Sequence, residues 1–189
     1  DIYENNNYIP MGFAYDYHIR EQTLNLVPDW KKHISLVQAI LLDDEQIAKY
    51  GDILPDITTL EASPLLIDYD IFKDEVVNRR AKSAHFFERK NDGFRAKIDL
   101  DTPNLVFFSV PYDEGFTATV NGERAEIELV NGGFMAVYCD AGEDIEIEFS
   151  YMPRGFKSGM AITVISLIAT IAYIFAPKFV RKRNVKGEC

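Results

Sequence analysis

The densest chemistry in this 189-residue chain surrounds one glycine, where Tyr112, Asp113, Glu114 and Phe116 flank Gly115. Adjacent carboxylates on a loop could share acid/base work or seat a cation, although such a pair more often marks a solvated turn. Aromatic rings beside carboxylates are also a common way to hold a sugar ring, although such rings more often pack into a core. These four are the candidate ligand-binding residues. Asp43, Asp44 and Glu45 form a second acidic group, but they lack the alternating ligands of a calcium loop and read as a solvated helix terminus. His18, His33 and His85 are scattered without metal-ligand spacing. The chain has no Gly-rich phosphate loop, CxxC, HExxH or Gly-x-Ser-x-Gly, so no catalytic residue, metal site or cofactor is assigned.

The elements that must carry these residues change character along the chain. MGFAYDYHI, after Pro10, looks strand-like. Pro28 and Asp29 mark a helix start, and Ile34, Val37, Ile40 and Leu41 continue at helical spacing to the acidic cluster. Pro55 and Pro64 break the next stretch, and Phe72, Val76, Val77 and Arg80 suggest a second short helix.

From Ala84 the period becomes two. Residues 85–90 and 94–100 flank Asn91-Asp92-Gly93, read as a hairpin whose glycine takes a positive φ. Strands are expected at 105–110, 116–120, 125–130, 134–138 and 144–151, with hairpin signals at Asn121-Gly122, Asn131-Gly132-Gly133 and Ala141-Gly142-Glu143. Ile145, Ile147 and Phe149 alternate with Glu146, Glu148 and Ser150, as expected of a strand with one buried face. The fold class is therefore α+β: an antiparallel β-sandwich over 83–153, preceded by a mixed, mostly helical segment over 1–82.

The end of the chain is different. Gly159 to Ala176 is an eighteen-residue run without charge, long enough to cover most of a membrane's roughly 30 Å hydrocarbon core. Only Thr163, Ser166 and Thr170 interrupt it, and each can bond its own backbone. Residues 154–176 are read as an exit segment and transmembrane helix, and 177–189 as a basic tail. Lys178, Arg181, Lys182, Arg183 and Lys186 predict a cytoplasmic tail, with residues 1–158 outside.

Of the 30 Asp and Glu residues 29 lie within 1–153, against 13 of the 20 Lys and Arg, giving this part a formal charge of −16. Such a surface is unsuited to nucleic acid and is repelled by anionic lipid or phosphate-rich polymers unless cations intervene. Cys139 and Cys189 fall on opposite sides of the expected membrane and cannot pair, so the outer domain must rely on its core. The start at Asp1, without Met or a signal peptide, reads as the C-terminal part of a longer membrane protein.

The stretch FFSVPYDEGFTATVNGERAEIELVNGGFMAV and the exit YMPRGFKSG resemble the C-terminal region of the YfhO family of bacterial multi-span membrane proteins. The shared order is a P-Y-x-x-G-aromatic turn (Pro111, Tyr112, Gly115, Phe116), a V-N-G hairpin (Val120–Gly122), a V-N-G-G-F turn (Val130–Phe134) and an aromatic-x-P-x-G-F exit (Tyr151, Pro153, Gly155, Phe156). IPMGFAYDY at 9–17 is similar to an earlier part of the same region. One departure is Phe116, where the family commonly has Trp, so a ring N–H is missing.

The resemblance implies a glycosyltransferase of the lipid-linked-sugar type that decorates envelope polymers such as teichoic acids. The implied partners are the membrane, the rest of the parent protein, a cell-wall glycopolymer and an undecaprenyl-linked sugar. The implied location is a multi-pass cell-membrane protein whose catalytic acid lies on an earlier loop, and the implied task of the present domain is acceptor positioning. A non-catalytic carbohydrate-binding or structural module is the alternative.

Overall fold

The structure, a computed structural model, describes residues 5–59 and 69–184, with side chains up to Phe175. Pro64, Cys189 and the side chains of the basic tail therefore lie outside the described residues. The chain divides into two compact units, Asp1–Tyr151 and Met152–Cys189.

The first unit opens with β1 (Phe13–Ala14), β2 (His18–Ile19), α1 (Glu21–Leu24), α2 (Asp29–Gln38), β3 (Ile40–Leu41) and α3 (Asp44–Tyr50). After a 3-10 turn at Ile57–Thr59 comes α4 (Tyr69–Ala81). The strands that follow are β4 (Phe86–Lys90), β5 (Gly93–Leu100), β6 (Asn104–Pro111), β7 (Phe116–Val120), β8 (Glu123–Ala125), β9 (Ile127–Val130), β10 (Phe134–Cys139) and β11 (Gly142–Tyr151).

They build a four-stranded sheet ordered β1-β6-β10-β9 and a five-stranded sheet ordered β4-β5-β11-β7-β8, with every pairing in both sheets antiparallel. Between the two sheets lies a core of Phe94, Ile98, Phe108, Met135, Val137, Ile147 and Phe149. The four-stranded sheet buries its other face too. Phe13, Tyr15, Ile40, Leu54, Leu105, Phe107 and Ala136 pack there under the N-terminal segment.

This double burial explains the sequences of the middle strands. β6, NLVFFSVP, has five consecutive buried residues, whereas β5 and β11 alternate buried and more exposed positions. A strand covered on both faces needs an apolar run, and one covered on a single face needs alternation. β1 comes from residues 13–14, so the sandwich recruits a strand from before the expected start at 83. Ile145, Ile147 and Phe149 are 3%, 0% and 0% exposed, as their alternation predicts.

Four local expectations change. First, α2 ends at Gln38, where Ala39 is extended, and Ile40–Leu41 is a strand paired in parallel with His18–Ile19. The helical spacing of Ile40 and Leu41 was coincidental: they face different cores, and α2 buries Ser35 and Gln38 rather than Ile34 and Val37. Second, the acidic cluster begins a helix instead of ending one. Asp43 Oδ1 accepts from the Gln46 N–H at 2.8 Å and Gln46 Oε1 accepts from the Asp43 N–H at 3.1 Å, a reciprocal cap at the start of α3.

Third, Gly93 is needed for space, not for a positive φ. It pairs with Lys90 and Ser150, and a Cβ there would stand 1.8 Å from the Phe149 carbonyl oxygen. Fourth, Ala141-Gly142-Glu143 joins different sheets, because β10 pairs with β6 and β9 while β11 pairs with β5 and β7. The other two turns are hairpins, with φ of 51° and 82° at Asn121 and Gly122 and of 51° and 71° at Asn131 and Gly132.

The second unit is the helix α5 (Phe156–Asn184). Its segment Phe156–Phe175 is long and apolar enough to cross a membrane, and none of it is buried against protein. At about 1.5 Å per residue it is about 30 Å long. Thr163 and Thr170 donate to the carbonyl oxygens of Gly159 and Ser166 at 2.9 and 2.8 Å, which removes their hydroxyls from the apolar surface.

Candidate functional site

The predicted loop is a turn closed by hydrogen bonds of Asp113. Asp113 Oδ1 accepts the Gly115 N–H at 2.7 Å and the Asp113 carbonyl accepts the Phe116 N–H at 3.0 Å. Tyr112, Asp113 and Glu114 are exposed. Phe116 is half-buried, its ring 4.8 Å from that of Tyr151 and 6.4 Å from that of Phe149. Tyr112 and Phe116 line one hollow of about 530 Å³ with Arg124 and Glu126, while the Asp113 carboxylate is engaged with its own turn.

A larger groove, about 920 Å³, adjoins this hollow at β8. It lies where the chain crosses from one sheet to the other. Its walls are α3 and the residues after it (Lys49, Tyr50, Asp52, Ile53), the β7–β8 hairpin (Val120 to Glu126) and the crossover from Tyr138 to Ile145. The hairpin is held by Asn121, whose N–H donates to the Glu146 carbonyl at 2.7 Å and whose Oδ1 accepts the Glu146 N–H at 2.9 Å. Arg124, Ala125 and Glu126 belong to both hollows.

One wall is a fixed polar network beside an aromatic pair. Glu128 on β9 is 9% exposed; its Oε1 accepts from the Tyr50 hydroxyl at 2.6 Å and Lys49 Nζ at 2.7 Å, and its Oε2 accepts from Gln46 Nε2 at 3.1 Å. Lys49 Nζ also donates to Glu126 Oε2 at 2.6 Å and lies 5.0 Å from the centre of the Tyr50 ring. Tyr50 and Tyr138 stack with ring centres 6.0 Å apart, and Tyr138 donates its hydroxyl to Asp140 Oδ1 at 2.8 Å.

The titrations follow from these bonds. Hydrogen bonds to Glu126 and Glu128 hold Lys49 charged well above the usual lysine range. Burial, then the bond to Glu128, pushes Tyr50 up to about 12. Burial alone would raise Glu128, but bonds from Lys49, Tyr50 and Gln46 outweigh it and hold its carboxyl low. Each group is thereby locked into one protonation state near neutral pH.

Two of the three histidines have structural partners. Buried His18 places Nδ1 2.5 Å from the Leu54 carbonyl oxygen and Nε2 3.7 Å from Asp56 Oδ2. His85 faces Asp99 and Asp144, and His33 is exposed. Among the described residues no group of three or more His, Cys, Asp or Glu is arranged to hold a metal ion.

Sequence reasoning missed Lys49, Tyr50, Glu126, Tyr138 and Asp140 as a group, because α3 and β10 lie far apart in the chain and meet only through the sheet. The one local hint was the Asn121-Gly122 turn, which forms the groove's hairpin edge.

Residues 65–163 match the family described as bacterial membrane protein YfhO. That stretch runs from before α4 through β4 to β11 into α5. It includes the 112–116 loop and the β walls of the groove; the α3 wall and the 9–17 segment precede it. An uncharacterized protein YfhO from Bacillus subtilis (strain 168) is 23% identical over 107 residues, which cover 57% of this chain and 12% of that protein. The chain thus matches a small part of that relative's length. No solved structure matches.

Proposed function

Because the chain belongs to the YfhO family of bacterial membrane proteins, we propose that it is the outer domain and following helix of a multi-span glycosyltransferase. That enzyme moves a sugar from a lipid carrier of the undecaprenyl type onto an envelope polymer of the teichoic acid kind. The domain positions the acceptor. The observation that carries this reading is an open groove with an aromatic face and fixed polar groups, on a unit joined directly to a membrane helix.

The basic residues after the apolar segment support an outward-facing domain with its tail inside. Tyr112, Asp113, Glu114 and Phe116, at and next to the adjoining hollow, offer a second contact for a chain-like acceptor. No residue of this chain is assigned to bond breaking, and the locked protonation states of Lys49, Tyr50 and Glu128 agree with a positioning role.

The same observation also favours a second reading, a non-catalytic carbohydrate-binding or structural module. The test is the glycan composition of the envelope in a strain whose parent protein lacks only residues 1–153 and still reaches the membrane. Loss of one sugar decoration is expected. An unchanged envelope would overturn the transferase reading in favour of the module.

A further inference from the structure

The charge of the large groove restricts what it can hold. Four of its carboxylates, Asp52, Glu123, Asp140 and Glu143, have no ion-pair partner among the described residues. Of the two cations on its walls, Lys49 is neutralised by Glu126 and Glu128, which leaves Arg124 at the rim shared with the neighbouring hollow. A phosphate group entering here meets an excess of negative charge, and a positively charged ligand meets complementary charge.

The protein itself shows how this wall treats an ammonium. Lys49 Nζ is held by two carboxylate oxygens, at 2.6 and 2.7 Å, and lies 5.0 Å from the centre of the Tyr50 ring. The adjoining surface repeats the chemistry without an occupant from the chain. Tyr138 is 38% exposed, carries the Asp140 carboxylate on its hydroxyl, and lines the same groove as Glu143 and Asp52. The groove's volume of about 920 Å³ is ample for one or two sugar rings.

Building on the acceptor-positioning reading, we propose that this groove binds an amine-bearing sugar unit of an envelope glycan, its ammonium drawn by the unpaired carboxylates of the groove, Asp140, Glu143 and Asp52, and its ring against Tyr138. Such a unit supplies the positive charge that lets a domain of formal charge −16 approach a polymer otherwise rich in phosphate. Recognition of the amine therefore selects the acceptor and overcomes the repulsion together.

The test measures binding of a fully deacetylated glucosamine tetramer and of its N-acetylated counterpart to the full chain in detergent micelles, at a pH where the amines are protonated. The deacetylated tetramer is expected to bind at least about tenfold tighter. Glu143→Gln and Asp140→Asn should each weaken it several-fold, and Tyr138→Ala should weaken both oligomers. Asp74→Asn, the same charge change at an exposed position on α4, should leave both affinities unchanged.

Equal or tighter binding of the acetylated tetramer overturns the inference. So does an Asp74→Asn effect as large as that of Glu143→Gln, and so does the absence of binding by either oligomer. Those failures leave the acceptor-positioning reading to the deletion strain. An unchanged envelope in that strain, with selective amine binding intact, overturns the reading and leaves the groove's ligand class in place.

Discussion

Arg79 on α4 donates from Nη2 to Asp16 Oδ2 at 2.6 Å, although Arg79 is only 1% exposed. Its Nη1 donates to the Ala14 carbonyl at 2.6 Å, and Nη2 also reaches Glu75 Oε2 at 3.2 Å. Asp16 is bound by Lys82 as well. One guanidinium thus ties α4 to the segment that supplies β1. Arg79→Ala leaves a buried carbonyl and two carboxylates without it, and should cost about 3 kcal/mol or more in urea denaturation of the full chain in micelles. Arg79→Lys should cost less, because it keeps the charge and loses the fork.

Gly93→Ala should be more damaging than Gly132→Ala. At Gly93 the new methyl would overlap the Phe149 carbonyl oxygen and force β5 from β11, a loss of about 3 kcal/mol or more. At Gly132 the Cβ meets nothing and only the φ of 71° opposes it, for about 1 kcal/mol. Comparing the two denaturation midpoints checks the order.

Acid should unfold the domain through three carboxyls. Burial alone would raise Asp16, Asp56 and Glu128. In Asp16 the partners Lys82 and Arg79 outweigh it, in Asp56 Thr58, His18 and Arg20, and in Glu128 Lys49, Tyr50 and Gln46. Because these folded values lie below the unfolded ones, near about 4, the stabilisation is complete above that range and is lost as pH falls through the folded values. Lys49 stays charged throughout the acid range, but its ion pair with Glu128 is the same interaction and is lost when that carboxyl protonates. Melting temperature should fall steeply below about pH 4, and Glu128→Gln should flatten that limb.

Cys139 should resist thiol reagents while the fold holds. It is 1% exposed, and burial, with Asp140 nearby, pushes its thiol up to about 12. Maleimide labelling at Cys139 in a Cys189→Ser chain should appear only across the unfolding transition. Labelling under native conditions would mean that β10 opens locally.

The apolar surface of Phe156–Phe175 should make the full chain aggregate without detergent, while a chain ending after Tyr151 stays monomeric. Sedimentation of both in plain buffer checks this.

What the sequence disclosed was whatever neighbouring residues decide. Asn121-Gly122 and Asn131-Gly132 announced their hairpins because a positive φ is a local demand. The Asp43–Gln46 cap was equally legible, since its two partners lie three apart, but the acidic run drew attention instead. Ile40–Leu41 misled because helical spacing cannot reveal that a β2 strand waits alongside. The crossover after Cys139 looked like a hairpin because no local signal states which sheet the next strand joins. The groove was hidden for the same reason, with Tyr50 and Tyr138 becoming neighbours only through packing.

β11 is also the strand that leaves for the membrane helix, through Met152–Gly155. It is hydrogen-bonded along both edges, to β5 and to β7. Any mechanical tension transmitted from a drifting or tilting helix therefore enters the domain through a strand anchored on two sides. Pulling it free would require rupturing two ladders at once, so a load carried by the helix falls on a doubly paired strand rather than on a peelable edge.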